Sequence, residues 1–193
     1  MSVIDARPFS SVPTEPWRNG GGITRTLAAH GKQWRVSVAQ VERDGPYSRF
    51  DGMTRVSLVL RGKGVTLRDG ASVVRLLPLT AVEYDGGCAW NATLVDGPVT
   101  ALNAMTAAGR YRTMLNKVVV ATLVPPGCAA IVIALESGCH CREPDTDTGG
   151  TIEAGQFMVM RSVDRPLRLE PADDAGKPPI IVTIAPDATG TTG

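Results

Sequence analysis

The sequence predicts an all-β fold, two jelly-roll β-barrels packed together in one chain, and three observations carry that expectation. Short alternating runs rich in Val, Ile, Leu and Thr recur between clusters of Gly, Pro and Asp along the 193 residues, which is how half-buried strands and their turns read. No window sustains a long helical period. The two halves also echo each other: Val56-Ser57-Leu58-Val59-Leu60 with Gly64 compares with Ala130-Ile131-Val132-Ile133-Ala134 with Gly138, residues 77–82 with 154–159, and 99–102 with 181–184. The offset grows along the chain, as loop insertions such as residues 143–150 require. Any two β-rich halves share part of such a pattern, so duplication and a chance echo both stand on pattern alone. Duplication is the reading taken, with the joint near Pro125-Pro126-Gly127. It gives a first barrel over residues 1–124 and a second, degenerate one over 125–193, or one intimately packed double-barrel domain. Many short strands with glycine turns fit this better than an open α/β sheet.

The elements follow in order. Pro16-Trp17-Arg18-Asn19-Gly20-Gly21-Gly22 leads into the first strand. Three successive glycines lose much backbone entropy on ordering, so the run marks left-handed conformations or a close approach to neighbouring backbone. Residues 23–28 and Trp34–Val41 alternate as strands around a turn at His30-Gly31-Lys32, a hairpin. Asp44-Gly45-Pro46-Tyr47-Ser48-Arg49-Phe50-Asp51-Gly52 is a turn-rich connection bent at Gly45-Pro46 and Asp51-Gly52, with Tyr47 and Phe50 as its anchors. Further strands are expected at 55–61, 64–68, Ser72–Leu76, 80–84, 89–94 and 99–105. After a strand at 118–124, others follow at 129–135, 156–161, 167–170 and 180–184. Residues 171–179 read as a solvated loop, and the small, polar tail 186–193 is expected to fray.

Composition excludes several classes of function. Twenty basic residues against nineteen acidic ones leave a net charge of +1, without the basic stripe that tracks a phosphate backbone, so nucleic acid is not an expected partner. Residues 1–12 lack the basic and apolar regions of a secretory signal, and no apolar run is long enough to cross a membrane. A cytoplasmic protein without a membrane partner is the expectation. Cys88, Cys128, Cys139 and Cys141 are too few and too unevenly spread for a disulfide framework and read as free thiols. Asn91-Ala92-Thr93 matches a glycosylation sequon, but without an export signal it is a chance match.

Strand parity organises the residues that could carry chemistry, because side chains at i and i+2 share a face. Arg35, Ser37 and Ala39 fall on one face, Arg55, Ser57 and Val59 on another, and Ala101, Asn103 and Met105 on a third. Three strands each offering a polar group beside small or apolar neighbours suit a barrel mouth lined for a small polar ligand. An inward Arg35 or Arg55 supplies a planar fork for a carboxylate. The solvent face of a half-buried strand alternates in the same way, so both placements stay open here.

Other chemistries find no footing. The chain has only two histidines, His30 and His140, and no His-x-His. Cys139-His140-Cys141 is the sole local cluster of soft ligands, and strand alternation turns His140 away from both cysteines. It lacks the paired spacing of a structural zinc site, so no metal is expected beyond adventitious binding at that triplet. There is no Gly-x-Ser-x-Gly and no histidine spaced for a nucleophile. Neither Gly20-Gly21-Gly22 nor Gly62-Lys63-Gly64 satisfies a P-loop. Asp145, Asp147, Asp173 and Asp174 read as solvated loop charges.

Pro16-Trp17-Arg18-Asn19-Gly20-Gly21-Gly22-Ile23-Thr24-Arg25, then Trp34-Arg35-Val36-Ser37-Val38-Ala39, then residues 44–52 and Arg55, with Asn103 and Met105 beyond, closely resemble the HutD/Ves family. Several separate motifs in the expected order make the resemblance specific over residues 14–105, and beyond that it is general barrel similarity. The resemblance implies a double-barrel cupin (a bicupin) without the usual cupin metal ligands, linked in bacteria to histidine utilisation, with a regulatory role the usual proposal. Carried over by position, Trp17, Asn19, Gly20, Gly21, Trp34, Arg35, Ser37, Ser48, Phe50, Arg55 and Asn103 fall on family motif positions. Arg18 stands where lysine is common, Tyr47 where phenylalanine is common and Asp51 where proline is common. Ala101 stands where the family often has an acidic residue, which puts a carboxylate role there in doubt.

The resulting expectation is a cofactor-free small-molecule-binding protein, a regulator of histidine utilisation that binds a small carboxylate metabolite of that pathway, with catalysis left open. The expected ligand-binding residues are Trp17, Asn19, Gly20, Gly21, Arg35, Ser37, Ser48, Arg55 and Asn103. Arg35 or Arg55 would pair with the carboxylate, Asn19 and Asn103 would bond its polar end, and the amides of Gly20-Gly21-Gly22 would line a wall. Two alternatives stand beside it: a metal-independent hydrolase or isomerase of such a metabolite, and a protein-interaction module. A homodimer is the one self-assembly the expectation leaves room for.

Overall fold

A computed structural model of the chain describes residues 5–187 apart from 145, 147 and 175. Its strands, in chain order, are β1 (Ala6–Pro8), β2 (Glu15–Pro16), β3 (Gly22–His30), β4 (Trp34–Val41), β5 (Gly45–Pro46), β6 (Met53–Arg61), β7 (Val65–Asp69), β8 (Ser72–Leu76), β9 (Val82–Asp85) and β10 (Asn91–Leu94). They continue as β11 (Val99–Ala107), β12 (Tyr111–Lys117), β13 (Thr122–Val124), β14 (Ala129–Ala134), β15 (Cys139–Arg142), β16 (Gly149–Ile152), β17 (Gln156–Met160), β18 (Leu167–Pro171) and β19 (Ile180–Pro186). The one short helix among the described residues is a 3-10 turn, Phe9–Ser11. The chain is all-β, as its alternation predicts.

Contacts divide the chain into two units. Residues 12–110 form one, and residues 5–11 with 111–187 form the other. In the first, a six-stranded sheet ordered β2-β3-β4-β11-β6-β9 accompanies a four-stranded sheet ordered β5-β10-β7-β8. In the second, the sheets are ordered β1-β17-β14-β19-β12 and β13-β18-β15-β16. Removing β1, β2 and β3 leaves one strand order used twice: β4-β11-β6-β9 matches β12-β19-β14-β17, and β5-β10-β7-β8 matches β13-β18-β15-β16. Each is an eight-stranded antiparallel jelly roll. The duplication inferred from the echo is therefore present in the topology.

The boundary differs from the expected one. The second jelly roll begins at Tyr111, because β12 pairs with β19 from Tyr111↔Pro186 to Lys117↔Ile180 and β13 pairs with β18. Pro125-Pro126-Gly127 lies inside the repeat, between β13 and β14, where the first repeat has its β5–β6 connection. The N-terminal residues also cross over: β1 pairs with β17, and Phe9 packs against Phe157 with ring centroids 5.3 Å apart. Residues 1–124 and 125–193 are thus not the structural units.

Most expected strands are present with shifted ends, and three differences have physical causes. β12 has no counterpart among the expected strands because its burial pattern leaves only Leu115 buried, so its sequence carries little apolar alternation. The expected strand over 118–124 is cut short: Val118 is buried, but Val119 and Val120 are 56% and 67% exposed in a bend, and β13 keeps only three residues. β16 opens with two glycines, which read as a turn. The fraying expected of the tail falls, from residue 188 on, outside the described residues, as do Asp145 and Asp147.

The glycine run has a local explanation. Gly20 adopts φ +65°, and its N–H donates to Trp17 O at 2.9 Å, while Trp17 N–H donates to Gly22 O at 2.9 Å. Gly21 N–H donates to Asn19 Oδ1 at 2.9 Å. A Cβ on Gly22 would lie 2.1 Å from Gln40 O and 3.4 Å from Trp17 Cδ2. The run is a tight reversal that lays β2 along β3, pairing Glu15 with Thr24 and Pro16 with Ile23, and so aims Trp17 and Asn19. Gly22→Ala is expected to destabilise the protein by about 2 kcal/mol or more through overpacking against backbone. Gly31→Ala, at φ +53° with no atom within 4 Å, is expected to cost only about 1 kcal/mol of left-handed strain. Urea midpoints of the two variants check the difference.

Candidate functional site

The centre of the six-stranded sheet carries the site. Register places side chains of β4, β11, β6 and β9 in cross-strand rows on the face turned toward the barrel interior. Val41 opposes Val99 in the deepest row. Ala101 next stands between Ala39 and Val59, with Thr24 beside Ala39. Asn103 then stands between Ser37 and Ser57. Met105 stands between Arg35 and Arg55, and Arg55 opposes Tyr84. Polarity thus rises along the strands from a valine floor through alanines to hydroxyls, an amide and two guanidinium groups.

This end of the barrel holds a pocket of about 440 Å³, counting its open mouth, lined by Trp17, Thr24, Arg35, Ser37, Ala39, Tyr47, Ser48, Phe50, Arg55, Asn103 and Met105. An outer groove continues it past Glu15, Pro16, Arg18, Asn19 and Pro46. Below, Val41, Val59, Val65, Leu67, Leu76, Trp90, Ala92 and Val99 close the barrel as a buried cluster. The β5–β6 connection forms one wall, held by Tyr47 N–H to Trp90 O at 2.8 Å and Phe50 N–H to Gly86 O at 2.7 Å.

Arg55 is the central group. It is only 4% exposed, and its guanidinium carbon lies 5.2, 5.4 and 5.6 Å from the ring centroids of Tyr84, Tyr47 and Phe50. Its Nη2 donates to Asn103 Oδ1 at 3.0 Å, which also accepts from Ser57 Oγ at 2.7 Å. Ser57 Oγ in turn lies 3.0 Å from Tyr84 Oη. Among the described residues no carboxylate lies within ion-pair distance of Arg55. Ring faces and a neutral amide soften the desolvation of a buried cation, but they carry no opposite charge.

Unmet hydrogen bonds concentrate here. Of five buried side-chain polar atoms without a partner among the described residues, Arg35 Nε, Arg55 Nε and Tyr47 Oη belong to pocket-lining residues. Burial, with Tyr84 adding to it, pushes the Tyr47 phenol well above its ordinary range against the opposing pull of Arg55, so Tyr47 keeps its proton. At the rim, Arg35 Nη2 donates to Thr26 Oγ1 at 2.6 Å and reaches Glu15 Oε2 at 3.5 Å. Thr26 Oγ1 donates to Glu15 Oε1 at 2.8 Å. Trp17 Nε1–H donates to Thr24 Oγ1 at 2.8 Å, and Asn19 Nδ2 donates to Pro46 O at 3.1 Å.

Six of the nine expected ligand-binding residues, Trp17, Arg35, Ser37, Ser48, Arg55 and Asn103, line this pocket, and Asn19 lines the outer groove. Gly20 and Gly21 line neither, and their amides are used within their own turn. The expected glycine wall is a support for Trp17 instead. Tyr47 and Phe50, expected as loop anchors, both anchor the loop and enclose Arg55. Tyr84, Thr24, Thr26 and Glu15 were not legible as site residues, since their strands join the rows only through pairing. Ala101 is buried between Ala39 and Val59 and brings no acid to the site.

Among the described residues, the matching strands of the second barrel contribute to an apolar cluster. Ala130, Val132, Ala134, Met158 and Ile181 pack there with Cys139, Cys141, Leu167 and Leu169 in one apolar core. On β15 the alternation holds: Cys139 and Cys141 are buried and His140 is exposed, its Nδ1 3.0 Å from Thr151 Oγ1. Among the described residues no three His, Cys, Asp or Glu side chains come together as a metal site, and no helix is long and apolar enough to cross a membrane. All four cysteines are free thiols.

The HutD family model matches residues 9–175. The chain belongs to the HutD family. A Pseudomonas putida relative, an uncharacterised 21.2 kDa protein in the hutC 3' region, is 34% identical over 123 residues, which cover 60% of this chain and 65% of that protein. Protein Ves of Citrobacter koseri is 31% identical over 126 residues, 60% of this chain and 63% of Ves. The match therefore spans somewhat less than two thirds of either relative. A solved Pseudomonas aeruginosa protein of unknown function superposes with a TM-score of 0.78 at 24% identity, over 95% of this chain and 98% of that one. HutD from Pseudomonas fluorescens SBW25, in a formate condition, gives 0.77 at 20% identity over 96% and 100%. A cupin 2 conserved barrel domain protein of Leptotrichia buccalis gives 0.59 at 9% identity over 97% and 98%. This HutD-family chain thus has a cupin-like fold.

Burial sets a pH dependence. It raises Cys139 to about 11 and Cys141 to about 12, from an ordinary value near 9. A thiol whose pKa is higher folded than unfolded stabilises the fold below the unfolded value, and that contribution is lost as pH rises through the folded one. Native stability is therefore expected to fall from about pH 9 upward, by at most about 1.4 kcal/mol per pH unit for each thiol. Urea titrations at pH 8 and pH 10.5 should show a smaller fall in the Cys139→Ala/Cys141→Ala variant.

Proposed function

We propose that this protein binds a small carboxylate metabolite in the pocket of residues 12–110, and that through this binding it acts as a regulator of histidine utilisation. The observation that carries the binding reading is Arg55, a buried guanidinium with aromatic neighbours and no acid beside it. A fixed planar donor in a low-dielectric pocket favours an oxyanion more strongly than the same group in water. Ser37 and Asn103 supply polar contacts next to it, Ser48 and Trp17 shape the entrance, and Arg35 stands at the rim with its charge shared by Glu15. Asn19 belongs to the outer groove. The pathway assignment is supported by membership of the HutD family and by the hutC-region name of the P. putida relative.

Calorimetry with formate, urocanate, formylglutamate and formiminoglutamate tests the reading. At least one is expected to bind the wild type, with Arg55→Met weakening it about tenfold or more, the scale of a lost charge-assisted hydrogen bond. Arg55→Met is also expected to keep or raise the ligand-free unfolding midpoint, since an apolar side chain of similar length replaces an uncompensated buried charge. Binding unchanged by Arg55→Met and by Arg35→Ala would remove the pocket assignment. Turnover of the bound compound, followed by NMR, would favour the metal-independent enzyme instead.

A further inference from the structure

Among the described residues, the first barrel leaves four buried side-chain donors without partners, Arg25 Nε, Arg35 Nε, Arg55 Nε and Tyr47 Oη, and the last two belong to groups packed on one another. Arg55 commits Nη2 to Asn103, while its Nε–H has no partner. The ring of Tyr47 packs on that same guanidinium, 5.4 Å from centroid to carbon, and its hydroxyl is also unpaired. Tyr84, the other phenol packed on Arg55, is not in this position, since its hydroxyl is bonded to Ser57. A buried hydroxyl left unmade destabilises a protein by about 1–3 kcal/mol. Phenylalanine would fill the same space without that penalty, so packing alone does not account for the hydroxyl.

We propose that Tyr47 is a ligand-binding residue that determines specificity, its hydroxyl and the Nε–H of Arg55 together forming one oxyanion subsite. The inference rests on the carboxylate-binding reading and deepens it by naming the second donor. The ligand's carboxylate places one oxygen toward each donor, and Asn103 holds the guanidinium in place through Nη2. The subsite takes a compact carboxylate with two acceptor oxygens in preference to a group with a single acceptor, such as an aldehyde or a nitrile. Tyr47 acts by touching the ligand, because the ring contacts to Trp17 and Arg55 survive without the hydroxyl. Its raised pKa keeps it a donor across the physiological range.

Formate is the probe, titrated into wild type, Tyr47→Phe and Arg55→Met by calorimetry, with unfolding midpoints measured in parallel. Tyr47→Phe is expected to weaken formate about tenfold and to keep or raise the ligand-free midpoint. A second readout separates contact from structure: formate should perturb the tyrosine band of the wild-type near-ultraviolet difference spectrum, and Tyr47→Phe should abolish that change. Formate that binds wild type and Tyr47→Phe equally, yet is lost in Arg55→Met, would overturn the role of Tyr47 and leave the carboxylate reading intact. Formate binding unaffected by either substitution would overturn both. A Tyr47→Phe variant with a sharply lowered midpoint would show a structural hydroxyl and likewise overturn the assignment.

Discussion

The buried guanidinium of Arg55 is the constraint around which the first barrel is arranged. A cation this enclosed needs its hydrogen bonds and its surroundings supplied by the protein, and each neighbouring element contributes. β11 gives the amide of Asn103, β6 the hydroxyl of Ser57 and β9 the phenol of Tyr84, while the β5–β6 connection lays Tyr47 and Phe50 over the charge. The chain Arg55–Asn103–Ser57–Tyr84 fixes the amide orientation of Asn103, whose oxygen must face two donors. Everything in this cluster is neutral except Arg55. Its positive potential is therefore directed to the pocket and not cancelled locally.

The two jelly rolls show how one topology is filled in two ways. In the second, Ala130, Val132, Ala134, Met158 and Ile181 of β14, β17 and β19 pack with Leu167, Leu169 and two cysteines in one apolar cluster. In the first, the sheet positions at the deep end are wholly apolar, where Val41, Val59 and Val99 join Leu67 and Leu76. Toward the mouth the rows pass to Ser37, Asn103, Ser57 and the arginines. The same strands run through the close-packed end and the polar end, so the packed end helps to hold the polar side chains in place.

The strands and their faces were largely legible in the sequence, and their neighbours were not. Period-two alternation correctly put Arg35 with Ser37, Arg55 with Ser57 and Asn103 with Met105, because a strand decides which residues share a side. Which strands lie next to one another depends on register over long separations. Tyr84 therefore became a site residue only once β9 paired with β6, and Glu15 only once β2 lay on β3. Punctuation misled at the repeat boundary. Pro125-Pro126-Gly127 and the turn before Tyr111 are both breaks, and only the pairing of β12 with β19 shows which one separates the barrels. The glycine run was rightly read as a demand on the backbone, but its cause is Gln40 O pressing on Gly22 and the left-handed Gly20, not contact with a ligand.

Under the binding we propose, the unmade hydrogen bonds at Arg55 and Tyr47 would couple folding to the ligand. A buried donor without an acceptor raises the free energy of the native state, and an oxyanion that satisfies both donors lowers it again. A ligand of the proposed kind would then stabilise the fold by RT ln(1 + [L]/Kd), since the unfolded chain holds no such site. The coupling is confined to the mouth of one barrel. The glycine turn and the valine floor contain no unpartnered buried side-chain polar atom among the described residues, so their stability would not depend on a ligand. That separation lets the first barrel hold an uncompensated charge above a closed apolar floor, and under the proposed binding the ligand's largest effect would fall on the β5–β6 connection that carries Tyr47, Ser48 and Phe50.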